Sequence, residues 1–218
     1  MTSSCCCVGV GGHWDGTSVG TFQTTGLMQV TASVGLHVLG RRYCALVEDD
    51  VRLTFEELSD GVVRLRPWLA RDASDVTNLL SDPEITRWTS IPPVLDEDVL
   101  ERVCQPSWAA ITDAKTSEMQ GGAGIYRLDR RHNKAELGYW LGSPARGKGS
   151  ATRALRLLSG WTFQELGVAR LETAIVVGNT ASIRVAERAG FVREGIMRSE
   201  RELQGRRRDM ILMSLLPR

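Results

Sequence analysis

No run of apolar residues in this chain approaches the roughly 20 needed to cross a membrane as a helix. Its first twenty residues hold no lysine or arginine with which to open a secretory leader. These absences exclude a helical membrane protein, and the expected setting is cytoplasmic. Surplus charge is missing too. The 27 Lys and Arg against 26 Asp and Glu leave a formal +1, which excludes a globally basic nucleic-acid binder or an acidic tail protein and leaves polyanion binding to a local patch. A disulfide framework is also lacking. The five cysteines, Cys5, Cys6, Cys7, Cys44 and Cys104, are odd in number, and three are adjacent, which the Cα separations of a disulfide disfavour. A reducing compartment fits them. No Cys or His pair stands near the triplet at zinc-ligand spacing, so no metal site is expected. Against these absences stand 42% apolar residues and six tryptophans, enough to pack one domain of ordinary size with an extension.

Met1 to about Gly26 is rich in Gly, Ser, Thr and Cys and has no periodicity of 2 or 3.6. It is expected to be a flexible, low-complexity extension, and Leu27–Phe55 reads as a linker or a short strand. The domain proper is therefore expected over residues 56–218. Val62–Arg66 alternates and meets Pro67, as a strand ending at a turn does. Ala73–Leu80 carries Val76, Leu79 and Leu80 at helical spacing before Asp82-Pro83. Ile91-Pro92-Pro93 reads as a loop, and Asp96–Ile111 as a helix on Val99, Leu100, Val103 and Cys104. Ala123–Leu128 and Lys134–Leu141 flank the polar turn Asp129–Asn133, which predicts an antiparallel hairpin. Ser150–Leu166 is a long helix with the stripe Ala151, Ala154, Leu155, Leu158, Trp161 and Leu166, closed by Gly167. Arg170–Val177 is a strand rich in β-branched residues. Thr180–Ala189 is a helix closed by Gly190, and Phe191–Arg201 and Asp209–Leu216 are final strands joined through Gly205–Arg208. Helices crossing between late strands predict an α/β fold with a mixed sheet, antiparallel early and partly parallel late.

The sharpest chemical feature is Tyr139 to Ala151, where a strand enters a glycine-rich loop that opens a long helix. Amides at a helix N-terminus and the helix dipole make an anion site. Glycines let backbone approach phosphate closely, and Arg146 and Lys148 add positive charge. Taken alone, the loop is equally well an ordinary turn using glycine for geometry. Two phosphate motifs fail here. Gly142–Lys148 matches the first part of a P-loop, but Gly149 stands where the magnesium-binding Ser or Thr belongs. The dinucleotide fingerprint fails because Thr152 follows where a Gly or Ala is needed.

A third pattern fits: Arg146-Gly147-Lys148-Gly149-Ser150-Ala151 satisfies Arg/Gln-x-x-Gly-x-Gly/Ala. With Ala135–Leu141 before it and Asn179–Phe191 after it, the chain resembles the GNAT superfamily of acyl-CoA N-acyltransferases, in the branch of the RimJ and RimL ribosomal-protein acetyltransferases. The likeness spans about Gly61–Arg218. It implies the GNAT fold, a central, mostly antiparallel sheet with a splayed parallel pair and flanking helices, and acetyl-CoA as co-substrate for an amine acceptor. It further implies attack of the amine on the thioester within a ternary complex. On this resemblance Glu136 is the proton acceptor, directly or through water, or else a solvated strand carboxylate, and Tyr139, Trp140 and Leu141 border the cofactor. One of their amides serves as an oxyanion donor, freed by an irregularity near Gly138. Arg146, Gly147, Lys148, Gly149, Ser150 and Ala151 take the pyrophosphate, and Asn179 bonds the pantetheine arm or is a turn residue. The tyrosine acid of many relatives is absent, because Ala186 stands at its position. Ser182, one turn after Asn179, is then the proton donor to the leaving thiolate, or else a helix cap.

The acceptor implied is a protein N-terminus or a small-molecule amine. Membrane partners are not expected, nucleic acid is disfavoured by the charge balance, and a homodimer is compatible with the family. The alternative function is a catalytically degenerate acyl-CoA-binding module with a regulatory or interaction role. His132 belongs to a solvated turn. Arg206-Arg207-Arg208 reads as a solvated hairpin tip or as a patch steering an acidic or nucleic-acid-bound substrate. Trp88 and Trp108 lie in the helical region that lines the acceptor cleft of relatives, and core packing is the expected role of at least one of them.

Overall fold

The computed structural model describes residues 57–92 and 97–217. The readings of Met1–Gly26, of Leu27–Phe55 and of the Cys5–Cys7 triplet lie outside the described residues. Eight strands form one sheet in the order β1-β2-β3-β4-β5-β6-β8-β7. They are β1 (Leu58–Ser59), β2 (Val63–Arg66), β3 (Trp108–Asp113), β4 (Met119–Asp129), β5 (Lys134–Leu141), β6 (Arg170–Val176), β7 (Val192–Leu203) and β8 (Arg206–Leu215). Every neighbouring pair is antiparallel except β5 and β6. The helices are α1 (Ala73–Leu80), α2 (Pro83–Trp88), α3 (Glu97–Val103), α4 (Ser150–Leu166) and α5 (Thr180–Ala189). No described helix is long and apolar enough to cross a membrane.

Strand alternation sorts the sheet into two faces. Val63 and Leu65 of β2, Ala135 and Leu137 of β5, Leu171 and Ile175 of β6, and Ile211 and Met213 of β8 pack with Ala154, Leu155, Leu158 and Trp161 of α4 in the main core. The opposite face of β5 carries Glu136 and Trp140. There Trp140 joins Val76 and Leu80 of α1, Ile85 of α2, and Val99 and Val103 of α3 in a second core. A helix on either face gives the two layers of side chains something to bury against.

Local chemistry explains the boundaries. Asp82 ends α1 and caps α2, its Oδ1 accepting from the Glu84 amide at 2.9 Å while Pro83 takes the first helical position. So the pair expected only to break a helix also begins one. The helix expected over Asp96–Ile111 stops at Val103, and Trp108–Asp113 is a strand. Pro106 disfavours helical backbone at the residue before it, and Ala109, Ala110 and Ile111 are fully buried in the sheet. Trp108 therefore belongs to a strand, not to a helical region. The β7–β8 turn is shorter than Gly205–Arg208: Leu203 pairs Arg206 directly. Positive φ at Gln204 (52°) and Gly205 (71°) makes the two-residue turn whose twist suits a hairpin. Arg206, Arg207 and Arg208 are strand residues.

Candidate active site

Strands β5 and β6 pair only at Lys134–Glu136 with Arg170–Glu172. Beyond that point β5 keeps its partner β4, β6 keeps β8, and the two diverge. This opens a split in the middle of the sheet. The Gly142 amide donates to the Gln120 carbonyl at 2.9 Å, on the β4 side. Counting back in twos along the pleat, the Trp140 and Gly138 amides also face β4, and those of Tyr139 and Leu141 face the split. Gly138 pairs regularly with Gly124; the register shift lies one strand over, between Ile125 and Arg127 of β4. Splaying, not a bulge at Gly138, frees these amides.

The loop at the mouth of the split has the shape an anion needs. Gly147 (φ 76°) and Gly149 (φ 85°) are left-handed, and an added Cβ on either would meet nothing within 4 Å. Glycine is required there by backbone conformation, and the space beside it is open. Gly149 is the N-cap of α4 and supplies no side-chain cap, and no acidic residue stands in the first turn. The first helical bond runs from the Arg153 amide to the Gly149 carbonyl at 3.1 Å. Among the described residues the amides of Gly147, Lys148, Gly149, Ser150, Ala151 and Thr152 have no acceptor. Lys148 is exposed. Arg146 is otherwise engaged: its Nε and Nη2 donate to the Leu141 carbonyl (3.2 and 3.0 Å), and it ion-pairs with Asp82 at 2.8 Å. Its guanidinium braces the loop against β5 and α2.

Across the split, Asn179 caps α5, its Oδ1 accepting from the Ser182 amide at 3.1 Å. The capping task falls to Asn179, leaving the Ser182 hydroxyl without a partner among the described residues. The Tyr139 hydroxyl donates to the Ser182 carbonyl at 3.2 Å, tying β5 to α5. Burial pushes that phenol up to about 12, so it is neutral at pH 7. Ala186 is completely buried. Trp140 turns away from the split in both respects. Its amide faces β4, and its indole, 4% exposed, stacks on Trp68 with ring centres 6.4 Å apart.

Glu136 is 6% exposed on the face carrying α1–α3. It touches none of the other residues singled out in the sequence. Its Oε2 accepts from Arg127 at 3.3 Å, and its Oε1 is held by Arg201, whose guanidinium lies 4.4 Å over the Tyr126 ring. Arg201 comes from β7, three strands from β5. A register shift between Met197 and Arg201 separates it from the regular part of the strand, and such an irregularity bends a strand and strengthens its twist. The hairpin then docks on the helical face, where the Gln204 side-chain amide donates to the carbonyls of Thr86, Thr89 and Ile91 at 3.0–3.3 Å. Trp88 packs beneath it with Val176, Leu203 and Met210. Trp108 lies across the facing pair Gly124 and Gly138, where a Cβ would come within 2.5 and 3.0 Å of its ring. It packs against the second core, over a glycine two residues along β5 from Glu136. Sequence reasoning missed Arg127, Arg201 and Tyr126, whose only signal was charge or polarity on strands, and Gln204, a polar residue of the turn. His132 pairs locally with Asp129 at 2.9 Å, in the turn between β4 and β5.

The model of the acetyltransferase (GNAT) domain family matches residues 63–192. The uncharacterized N-acetyltransferase p20 of Bacillus licheniformis is 31% identical over 173 residues, 75% of this chain and 97% of that protein. The ribosomal-protein-serine acetyltransferase of Escherichia coli strain K12 is 32% identical over 84 residues, 38% of this chain and 47% of its own. Among solved structures, the RimL ribosomal L7/L12 alpha-N-protein acetyltransferase in complex with coenzyme A superposes with a TM-score of 0.64. It is 20% identical, covering 73% of this chain and 96% of that one, so the likeness is one of fold. An open mixed sheet split at its single parallel pair, a family match over more than half of the length and a near-full-length relative agree: the chain belongs to the GNAT acetyltransferases and is an acetyl-CoA-dependent N-acetyltransferase.

Proposed function

We propose that this enzyme transfers the acetyl group of acetyl-CoA to a primary amine, on a protein N-terminus or a small molecule, by direct attack while both substrates are bound. The observation that carries this reading is the split itself, with the Tyr139 and Leu141 amides facing into it and the acceptor-free amides of Gly147–Thr152 at its mouth. Acetyl-CoA supplies an activated thioester. The open space at Gly147 and Gly149 and the uncapped helix N-terminus suit its pyrophosphate. The amides of Gly147, Lys148, Gly149, Ser150 and Ala151 and the Lys148 ammonium hold it there, on a loop that Arg146 braces. The Asn179 side-chain amide, whose oxygen is already used in capping, bonds the pantetheine arm. A Tyr139 or Leu141 N–H donates to the thioester oxygen as negative charge develops on it.

As the N–C bond forms and the C–S bond breaks, two protons move. Glu136 takes the amine proton through a water. Each of its oxygens carries one guanidinium and keeps a further lone pair. The Ser182 hydroxyl gives a proton to the leaving sulfur, directly or through water. Trp108 and Trp88 wall the acceptor side, and Trp140 packs on the same face of β5 against Trp68. A screen of peptides and small amines with acetyl-CoA, read by mass spectrometry and thiol release, tests the reading. At least one amine class is expected to gain an acetyl group with release of one thiol per acetyl. Tight acetyl-CoA binding with no acceptor modified in either class would instead mark a binding module.

A further inference from the structure

We infer that the acceptor carries an anionic group, a carboxylate or a phosphate, beside its reactive amine, and that Arg208 together with Arg201 binds it. The inference rests on the amine-transfer reading above and names the acceptor's chemistry. It starts from a pairing that is unfavourable by itself. Arg201 and Arg208 are directly opposite on β7 and β8. Directly opposed residues share a face with Cβ atoms about 5 Å apart, and like charges there destabilise a sheet. The face they share is the one from which Arg201 reaches Glu136.

Arg201 has partial compensation in Glu136 and the Tyr126 ring. Arg208 is exposed, and its side chain has no ion pair among the described residues. Arg127, on the other side of Glu136, has a half-exposed side chain. Two guanidiniums thus hold the Glu136 carboxylate, and a third, Arg208, stands opposite one of them, in a chain whose overall charge is only +1. The arginine run is not a uniformly solvated tip. Alternation sends Arg206 and Arg208 to the face from which Arg201 reaches Glu136. Arg207 points to the other, where its Nε donates to the Ser199 hydroxyl at 3.2 Å and its Nη2 to the Ser199 and Glu200 carbonyls. Each guanidinium has five donors in a planar fork. Arg201 spends one on Glu136, and Arg208 spends none. A carboxylate or phosphate between them would satisfy both forks and remove the repulsion. It would leave the amine of the same molecule facing Glu136. The cofactor's phosphates have their own site at the α4 N-terminus.

Matched acceptors test this. One pair is a peptide with Asp at positions two and three and its Asn twin; the other is phosphoethanolamine and ethanolamine. Each is measured by acetyl-CoA-dependent thiol release and by calorimetric binding to the CoA-saturated full-length protein. The anionic member of at least one pair is expected to be favoured about ten- to a hundredfold, the range for hydrogen bonds to charged groups. The preference should shrink as salt rises. Selectivity confined to the peptide pair or to the phosphate pair identifies the source of the anion. Arg208→Gln should bring the ratio to near one, and Arg208→Lys should restore part of it. A ratio near one in the wild type, a ratio unchanged in Arg208→Gln, or a loss of CoA affinity in that variant in place of the ratio would overturn the assignment. If no acceptor turns over yet the binding preference persists and depends on Arg208, the anion site stands and the amine-transfer reading falls. Turnover of both twins alike, without a binding preference, does the reverse.

Discussion

Glu136→Gln separates the chemistry of the site from its scaffolding. The substitution keeps the size of the side chain and one acceptor oxygen but removes the charge shared by Arg127 and Arg201. The structural cost is limited. Arg127 is half exposed and screened, and Arg201 keeps the Tyr126 ring at 4.4 Å. A loss of about 2 kcal/mol is expected, between the values for exposed and buried pairs. For a chain of this size that lowers Tm by about 4–8 °C without unfolding the protein at 25 °C. With its pyrophosphate site proposed at the α4 N-terminus, acetyl-CoA affinity should stay within about twofold. Turnover should fall far more, by the 10²–10⁴-fold typical of a general base, or about 3–5 kcal/mol of barrier at 1.36 kcal/mol per decade.

The loss should also depend on pH. An α-amino group with a pKa near 8 is only about 1% free base at pH 6 and about half at pH 8. A variant unable to accept the proton must wait for the free amine, so its kcat/KM should climb roughly fiftyfold over that interval. The wild type should climb much less, and the ratio between them is then widest at low pH. Initial rates of thiol release with a peptide acceptor, calorimetry with acetyl-CoA and a thermal melt give the three readouts. A pH profile parallel to the wild type, or a loss under tenfold, would remove Glu136 as proton acceptor and leave it as the anchor of Arg201.

Three further outcomes follow from the same geometry. Gly149→Asp should abolish acetyl-CoA binding by calorimetry while Tm falls only slightly. It places a carboxylate where phosphate belongs and costs about 1–2 kcal/mol for its left-handed backbone. Gly124→Ala should destabilise by about 3 kcal/mol or more in urea melts, since its Cβ would sit 2.5 Å from the Ser107 carbonyl and 2.7 Å from the Trp108 backbone. Gly138→Ala meets only the rim of the Trp108 ring at 3.0 Å and should cost under about 1.5 kcal/mol, so equal losses would contradict the packing described. Burial works to raise the pKa of Asp72, but the Arg66 fork at 2.7 and 2.8 Å and the Leu69 amide outweigh it and hold the pKa below 3.8. A depressed folded pKa stabilises above the unfolded value and is lost as pH falls through the folded one. Asp72→Asn should therefore cost about 2 kcal/mol at pH 7, and its gap to wild type should narrow as pH drops below about 4. A gap that widens in acid would reverse the sign.

Legibility in the sequence followed the range of the forces involved. Where a helix is set by its own stripe and its own stop, as in Ala73–Leu80, Ser150–Leu166 and Thr180–Ala189, the bounds read from the residues agree with the structure to the residue. The Lys134–Leu141 strand and its polar turn were legible for the same reason. The apolar run after Asp96 was not. Val99 to Val103 and Trp108 to Ile111 carry similar hydrophobicity, and only pairing with β2 and β4 makes the second half a strand.

By itself the sequence determined the family pattern, the glycine-turned loop at the head of α4 and the order of elements that yields one parallel pair. These depend on backbone conformations and periodicities that neighbouring residues impose. Only the tertiary structure decided what surrounds Glu136. A register shift in β7 and a two-residue turn carry Arg201 across the sheet to a carboxylate 65 residues away. Gln204 moors that hairpin to three carbonyls more than 110 residues distant. Which face Trp140 takes, and which arginines of the 206–208 run share the face of Arg201, likewise follow from strand register. A single residue's slip inverts both, and long-range pairing alone sets that register.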